Sequence, residues 1–338
     1  CISGNNGEGK TNLLDAIYYL SMTKSAFATS DKFSFRHGTD EFSLSGSYRM
    51  ENGLLSRFAM KMTSKGEKKV RRDDKPYTKV SEHLGILPIV MVSPSDISMV
   101  SESGEERRRF VNSVLSQMDR EYLSALQQYN RLLLQRNRML KEADLDRSLL
   151  EVIDMRMATY AEPVFQARRT FVDELCPLVA EYYKAISGGS EHVDIMYDSE
   201  LSKASLDMLL EASYDKDRVL KYTSSGVQRD DFIFMMNGHP IRRCGSQGQQ
   251  KSFLVALKFA QYEIMKRKYG FAPILLLDDV FDKLDMGRIS NLLQMVASND
   301  FGQIFITDSN KVRMSGIVDK LTRDRAYFDT FQGTFTRI

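Results

Sequence analysis

At 338 residues the chain is long enough for about two domains and a sizeable buried core. Charged residues make up 27% and apolar residues 42%, which excludes a wholly disordered chain; the longest apolar runs, 274–277 and 88–92, are far short of the roughly 18 residues that a membrane span needs. The 47 Lys and Arg against 45 Asp and Glu leave a formal charge of +2, so any nucleic-acid surface must come from local clusters of cations.

The first informative stretch is CISGNNGEGKTNLLDAIYYLSM, in which Gly4, Gly9, Lys10 and Thr11 fit G-x-x-x-x-G-K-[ST], a complete phosphate-loop signature. Glycines let the backbone turn tightly, so that successive N–H groups face phosphate oxygens, and a following helix aims its positive end at them. The expected cradle is Gly4, Asn5, Asn6, Gly7, Glu8, Gly9, Lys10, Thr11 and Asn12. Lys10 would reach the β and γ phosphates, and the Thr11 hydroxyl would face Mg²⁺. Leu13, Leu14, Ile17, Tyr18 and Leu20 have the spacing of one helical face. Upstream, only Cys1 and Ile2 represent the apolar strand that should feed such a loop, and a preceding N-terminal segment is expected.

From 41 to about 72 the alternation of Phe42, Leu44, Phe58, Met60 and Met62 predicts short antiparallel strands, with turns at Glu51-Asn52-Gly53 and Ser64-Lys65-Gly66. The last hairpin is strongly basic, with Lys61, Lys65, Lys68, Lys69, Arg71, Arg72, Lys75 and Lys79. It reads either as a contact for a phosphate backbone or as a solvated edge that lysines protect from aggregation. A second strand-like run covers 89–92.

From 105 to about 221 the pattern is mostly helical. Tyr122, Leu126, Tyr129, Leu133, Arg136 and Leu140 give one helix; Met155, Ala158, Tyr160, Val164, Phe171, Leu175 and Val179 give a second, which Pro163 is expected to kink or interrupt. A link at 143–146 predicts an antiparallel helical hairpin. Arg107, Arg108 and Arg109 open this arm, and Arg131, Arg136, Arg138 and Lys141 punctuate its first helix. Such charges face solvent, pair one turn away, or contact nucleic acid.

Two further constellations follow. ILLLDDVFDKLD, 274–285, is an apolar strand ending in Asp278 and Asp279, which puts acids at the carboxyl edge of a parallel sheet. Asp278 could join the Mg²⁺ shell, and Asp279 could orient or deprotonate water for attack on the γ phosphate. In GSQGQQK, Ser246, Gly248 and Gln249 precede a helix expected over 251–269 with Gly270 as its cap. This cluster is either a second anion site at a helix N-terminus or a plain N-cap.

These three constellations, in this order and separated by a helical insertion, resemble the heads of ABC-type ATPases. Within that class GNNGEGKTNLLDAIYYLS, SPSDISMVSESGEERRRF, GVQRDDFIFMMNG, GSQGQQKS and LLLDDVFDKLD resemble the RecF family of bacterial recombination mediators over nearly the whole chain. The resemblance implies an α/β fold: an ATPase head with a mixed sheet and phosphate loop, built from 1–96 (with a β-rich lobe) and 223–338, and a mainly helical arm inserted at 97–222. It implies two heads facing head to tail, each ATP held in cis by Lys10 and Thr11 and in trans by Ser246, Gly248 and Gln249. Catalytic roles fall to Asp279 and Lys10, and Mg²⁺ ligation to Thr11 and Asp278. Asp285 matches the interface D-loop. Asp308 stands where many relatives in the wider class carry a switch His, so turnover is expected to be slow; Gln228 replaces another His, leaving Arg229 and Asp230 as weaker candidates near the nucleotide.

The implied function is ATP-dependent, dimerising binding to duplex and gapped DNA in recombinational repair and the response to DNA damage, acting with RecR and RecO to load RecA. The three cysteines, Cys1, Cys176 and Cys244, have no C-x-x-C spacing, which argues against a disulfide framework or zinc site and for a reducing, cytoplasmic setting. The rivals are a transporter's nucleotide-binding subunit, which needs a membrane partner, an SMC-like chromosome organiser, which needs longer heptad arms, and a phosphoryl-transfer kinase, which leaves Ser246 unexplained.

Overall fold

The computed structural model describes residues 1–28, 30–102, 104–189, 191–281, 286–298 and 301–338. They fall into two compact units: Cys1–Ile97 with Ala185–Ser187 and Lys258–Ile338, and Ser98–Lys184 with Gly188–Leu257.

The first unit is built on a six-stranded sheet. Its spatial order is Thr334–Arg337, Phe328–Phe331, Ile2–Ser3, Ile304–Asp308, Ile274–Asp278 and Ile89–Val92. All neighbours run parallel except the outer Thr334–Arg337 strand. Val90, Val92, Leu275, Leu276 and Leu277 are buried, because a parallel sheet covered on both faces needs continuous apolar runs rather than alternation. The helix Lys10–Met22 supplies one cover: Leu14 packs with Ile2, Ile89, Met91 and Leu276. Its other side, through Tyr19 and Leu20, meets Met60 and Val70 of a four-stranded antiparallel sheet.

That second sheet runs in order Glu41–Arg49, Leu55–Thr63, Lys68–Arg72 and Lys75–Pro76. The expected turns are present, and Gly53 and Gly66 take the left-handed φ of 76° and 90° that such turns need. Several of the basic side chains are engaged locally. Lys61 pairs with Glu41 at 2.7 Å, and Lys68 with Asp31 at 2.7 Å. Lys65, Lys69, Arg71, Lys75 and Lys79 stay exposed.

The second unit is mainly helical, as expected, with one small sheet. It contains the helices Gly104–Met118 and Arg120–Met139 and nearly all of Arg147–Ser187, but also a sheet of Val193–Asp198, Asp231–Met236 and His239–Pro240. Val193–Asp198 lies inside the stretch expected to be helical. Its alternation is only six residues long and is stabilised by the antiparallel partner Asp231–Met236. The helix breaks are chemically marked: Asp119 caps the Glu121 and Tyr122 N–H groups, and Asp146 caps that of Leu149.

Pro163 does not interrupt its helix. Arg147–Ser187 runs through both Pro163 and Pro177 for 41 residues. Both prolines are exposed, while Met157, Ala161, Val164 and Phe165 are buried. Water can hydrate the carbonyl that each proline leaves unbonded, and burial of the opposite face outweighs the helix penalty of about 3 kcal/mol.

The arginines divide between burial and the local pairing that the sequence allows. Arg136 has no exposed surface and binds Asp154 at 2.7 Å, Asp217 at 2.6 Å and Thr223 at 3.0 Å. Arg107 is buried and grips both carboxylate oxygens of Asp231, at 2.8 and 3.0 Å, and Arg109 pairs with Glu105 and Glu106. A guanidinium with five directed donors can link distant backbone segments in this way. Arg136 and Arg107 therefore hold this unit together and are not a surface for nucleic acid.

Candidate functional site

The phosphate loop leaves the sheet after Ile2–Ser3. Gly4 has φ of 153°, and a Cβ there would come within 2.8 Å of the Thr330 carbonyl oxygen, so only glycine fits. Gly9, at φ 95°, is the left-handed residue that starts the helix Lys10–Met22. The Lys10 ammonium folds back over the loop and donates to the Gly4 and Asn5 carbonyls at 2.7 and 2.9 Å. Glu8 turns to the C-terminal hairpin: its carboxylate accepts from Gln332 N–H, and its carbonyl from Gly333 N–H at 3.2 Å.

Asp278 lies two strands away in the sheet yet meets the loop. The Thr11 hydroxyl donates to its oxygens at 3.0 and 3.2 Å, and Thr307, directly across in the strand register, donates to Oδ1 at 2.6 Å. Asp279 follows with φ of 48°, its N–H bonded to both Thr307 oxygens at 3.2 Å. Left-handed backbone is tolerated by Asp more readily than by most residues. A cavity of about 190 Å³ is lined by Asn6, Gly7, Gly9, Lys10, Thr11, Asn12, Asp278 and Asp279. Thr307 has no functional signal in the sequence beyond its place after the apolar residues Ile304, Phe305 and Ile306 of its strand.

Asp308 is fully buried and accepts from Asn310 N–H at 2.7 Å. Asp285 lies outside the described residues.

Ser246, Gly248 and Gln249 lie in the other unit, at the start of a helix that runs Gln247–Tyr269, four residues earlier than expected at its N-terminus. Ser246 and Gln249 form a reciprocal capping box. Gln249 N–H donates to Ser246 Oγ at 3.3 Å, and Ser246 N–H donates to Gln249 Oε1 at 2.7 Å. Gly270, at φ 74°, closes the other end with its N–H on the Lys266 carbonyl.

Arg229 and Asp230 have structural partners in the second unit. Asp230 is buried and accepts from Arg168 and Tyr197, both at 2.6 Å; burial pushes its carboxyl above the ordinary range, and the Arg168 charge opposes that rise. Arg229 stacks over the Tyr222 ring at 5.0 Å.

A parallel sheet carrying a phosphate loop on one strand and a buried Asp at the end of another, with a second unit inserted between them in sequence, defines an ATPase head of the ABC and SMC class. Smc head structures share this fold, with a TM-score of 0.56 at 13% identity for a head bound to the winged-helix domain of ScpA. No protein-family model matches the chain. The DNA replication and repair protein RecF of Parabacteroides distasonis is 43% identical over 333 residues, 98% of this chain and 91% of the relative. That of Flavobacterium johnsoniae is 42% identical over 323 residues, 94% of this chain and 89% of the relative. A solved RecF recombination mediator with ATP matches 100% of this chain and 90% of its own, at 27% identity and a TM-score of 0.88. The chain belongs to the RecF family of DNA replication and repair proteins.

Proposed function

We propose that this protein binds ATP in the cavity between the phosphate loop and Asp278, and that bound ATP recruits a second copy of the chain onto DNA during recombinational repair. The observation that carries the reading is the Thr11–Asp278 contact at the mouth of that cavity. A hydroxyl and a carboxylate, both hard oxygen donors, line this cavity together, and Thr307 donates to the carboxylate. These residues fit Mg²⁺, which favours one or two carboxylates together with phosphate oxygens. When bound there, Mg²⁺ neutralises charge on the β and γ phosphates. Lys10, held on the loop carbonyls of Gly4 and Asn5, would exchange them for phosphate oxygens. Asp279, which also lines the cavity, would orient a water molecule toward the γ phosphate.

Ser246, Gly248 and Gln249 would complete the enclosure from the second copy, with the N–H groups and hydroxyl at a helix N-terminus as anion donors. Losing the γ phosphate removes what both copies share, so hydrolysis returns the population to monomer. The RecF relatives and the ATP-bound RecF structure support an ATP-dependent role in DNA repair beside RecO and RecR. Among the described residues no helix is long and apolar enough to cross a membrane. Light scattering tests the proposal. ATP with Mg²⁺ should raise the mass to that of a dimer, and Lys10→Met and Ser246→Arg should each abolish the rise, the second without loss of ATP binding. A Ser246→Arg variant that dimerises normally rules out the trans site.

A further inference from the structure

Gln249 is held from two sides. Its Oε1 accepts the Ser246 N–H at 2.7 Å, and its Nε2 donates to Glu191 Oε1 at 2.8 Å. A backbone N–H must meet the amide oxygen and a carboxylate must meet the amide nitrogen, so the two partners agree on one orientation. Glu191 is itself anchored: the hydroxyl of Tyr183, a buried residue of the helix Arg147–Ser187, donates to Oε2 at 3.4 Å. At the end of this relay the Ser246 oxygen accepts from Gln249 N–H at 3.3 Å, which leaves its single hydroxyl hydrogen available to another acceptor.

We infer that Glu191 is a positioning residue for the anion site at Ser246, fixing Gln249 so that the helix N-terminus is already shaped when a γ phosphate arrives. The inference rests on the trans reading proposed above. A glutamine free to rotate must lose that freedom on binding, whereas one held beforehand has already lost it. The negative charge of Glu191 works against an incoming phosphate. A neutral acceptor of the same shape should therefore position Gln249 without the repulsion, which gives the test its sign.

The experiment titrates the full chain with ATP and Mg²⁺ and follows dimerisation by light scattering, with ATP affinity of the monomer measured by calorimetry. Glu191→Ala should raise the ATP concentration for half-dimerisation by about tenfold, the size of one lost hydrogen bond to a charged group, with monomer affinity unchanged. Glu191→Gln should restore dimerisation to the wild-type value or better. In a Gln249→Ala background, Glu191→Ala should add nothing. Unchanged dimerisation in Glu191→Ala, or a Glu191→Gln variant as poor as Glu191→Ala, overturns the inference. If Gln249→Ala itself dimerises like wild type, the trans reading fails; if Gln249→Ala is impaired and Glu191→Ala is not, only the role of Glu191 fails.

Discussion

Thr11 and Asp278 stand 267 positions apart in the chain and 3.0 Å apart in space, hydroxyl to carboxylate. Thr11→Val removes the hydroxyl and keeps the shape. The variant should fold normally, since Asp278 retains Thr307, yet the gain in ATP affinity that Mg²⁺ confers should fall by roughly tenfold, about 1.4 kcal/mol. Thr11→Ser should restore it. Calorimetric titrations with and without Mg²⁺ read both effects; a Thr11→Val variant with full Mg²⁺ dependence excludes a role for this hydroxyl.

Asp279→Asn separates binding from turnover. Asn adopts left-handed backbone as readily as Asp, so the φ of 48° costs the variant little. ATP binding should persist while hydrolysis falls by about 100-fold or more, the usual worth of a positioned base. Single-turnover assays give the comparison, and unchanged turnover removes Asp279 from the mechanism.

Arg136 should prove structural. Arg136→Met leaves Asp154 and the fully buried Asp217 without their shared cation, at a cost of about 3–5 kcal/mol. Arg136→Lys should recover little, because one ammonium cannot reproduce the fork that serves Asp154, Asp217 and Thr223 together. Calorimetric unfolding tests this. A variant with wild-type stability and weaker DNA binding would favour nucleic-acid contact, one of the alternatives the sequence leaves open for Arg136.

These residues mark what the sequence could and could not disclose. The phosphate loop was legible because its chemistry is local, nine consecutive residues with glycines where the backbone needs them. Asp278 was legible because four apolar residues before it announced a buried strand. The fate of Arg136 was not, since its acids lie 18 and 81 positions away and helical periodicity alone cannot tell a buried guanidinium from a solvated one. Val193–Asp198 failed for a related reason: its strand character depends on a partner some forty residues on. Thr307 became visible only through the register that sets it opposite Asp278.

His83 predicts a pH dependence. It is fully buried, with Nε2 against the Leu20 carbonyl at 2.6 Å, so that nitrogen carries the proton. Burial lowers its pKa below the ordinary 6.5, although the Leu20 contact opposes the shift. The unfolded chain therefore takes up a proton first as pH falls. Stability from this group is complete above pH 6.5 and declines below it, by at most about 1.4 kcal/mol per pH unit. Urea unfolding at pH 7.5 and 5.5 should show that loss, and His83→Gln, which keeps a donor for Leu20, should reduce it. An equal loss in the variant assigns the dependence to other groups.

Pro163 offers the converse test, a substitution that should stabilise. Within the helix it cannot donate to the Thr159 carbonyl, and its ring crowds that oxygen. Alanine restores the bond at a position that is already exposed, so no packing is disturbed. Against a helix preference of about 3 kcal/mol stands the greater freedom that alanine gives the unfolded chain, about 1 kcal/mol. Pro163→Ala should then gain roughly 2 kcal/mol in chemical denaturation, and Pro177→Ala a similar amount. A loss of stability in Pro163→Ala would mean that the buried residues beside it, Ala161, Val164 and Phe165, pack only against a backbone bent by the proline, and that the long helix owes its fit to that residue.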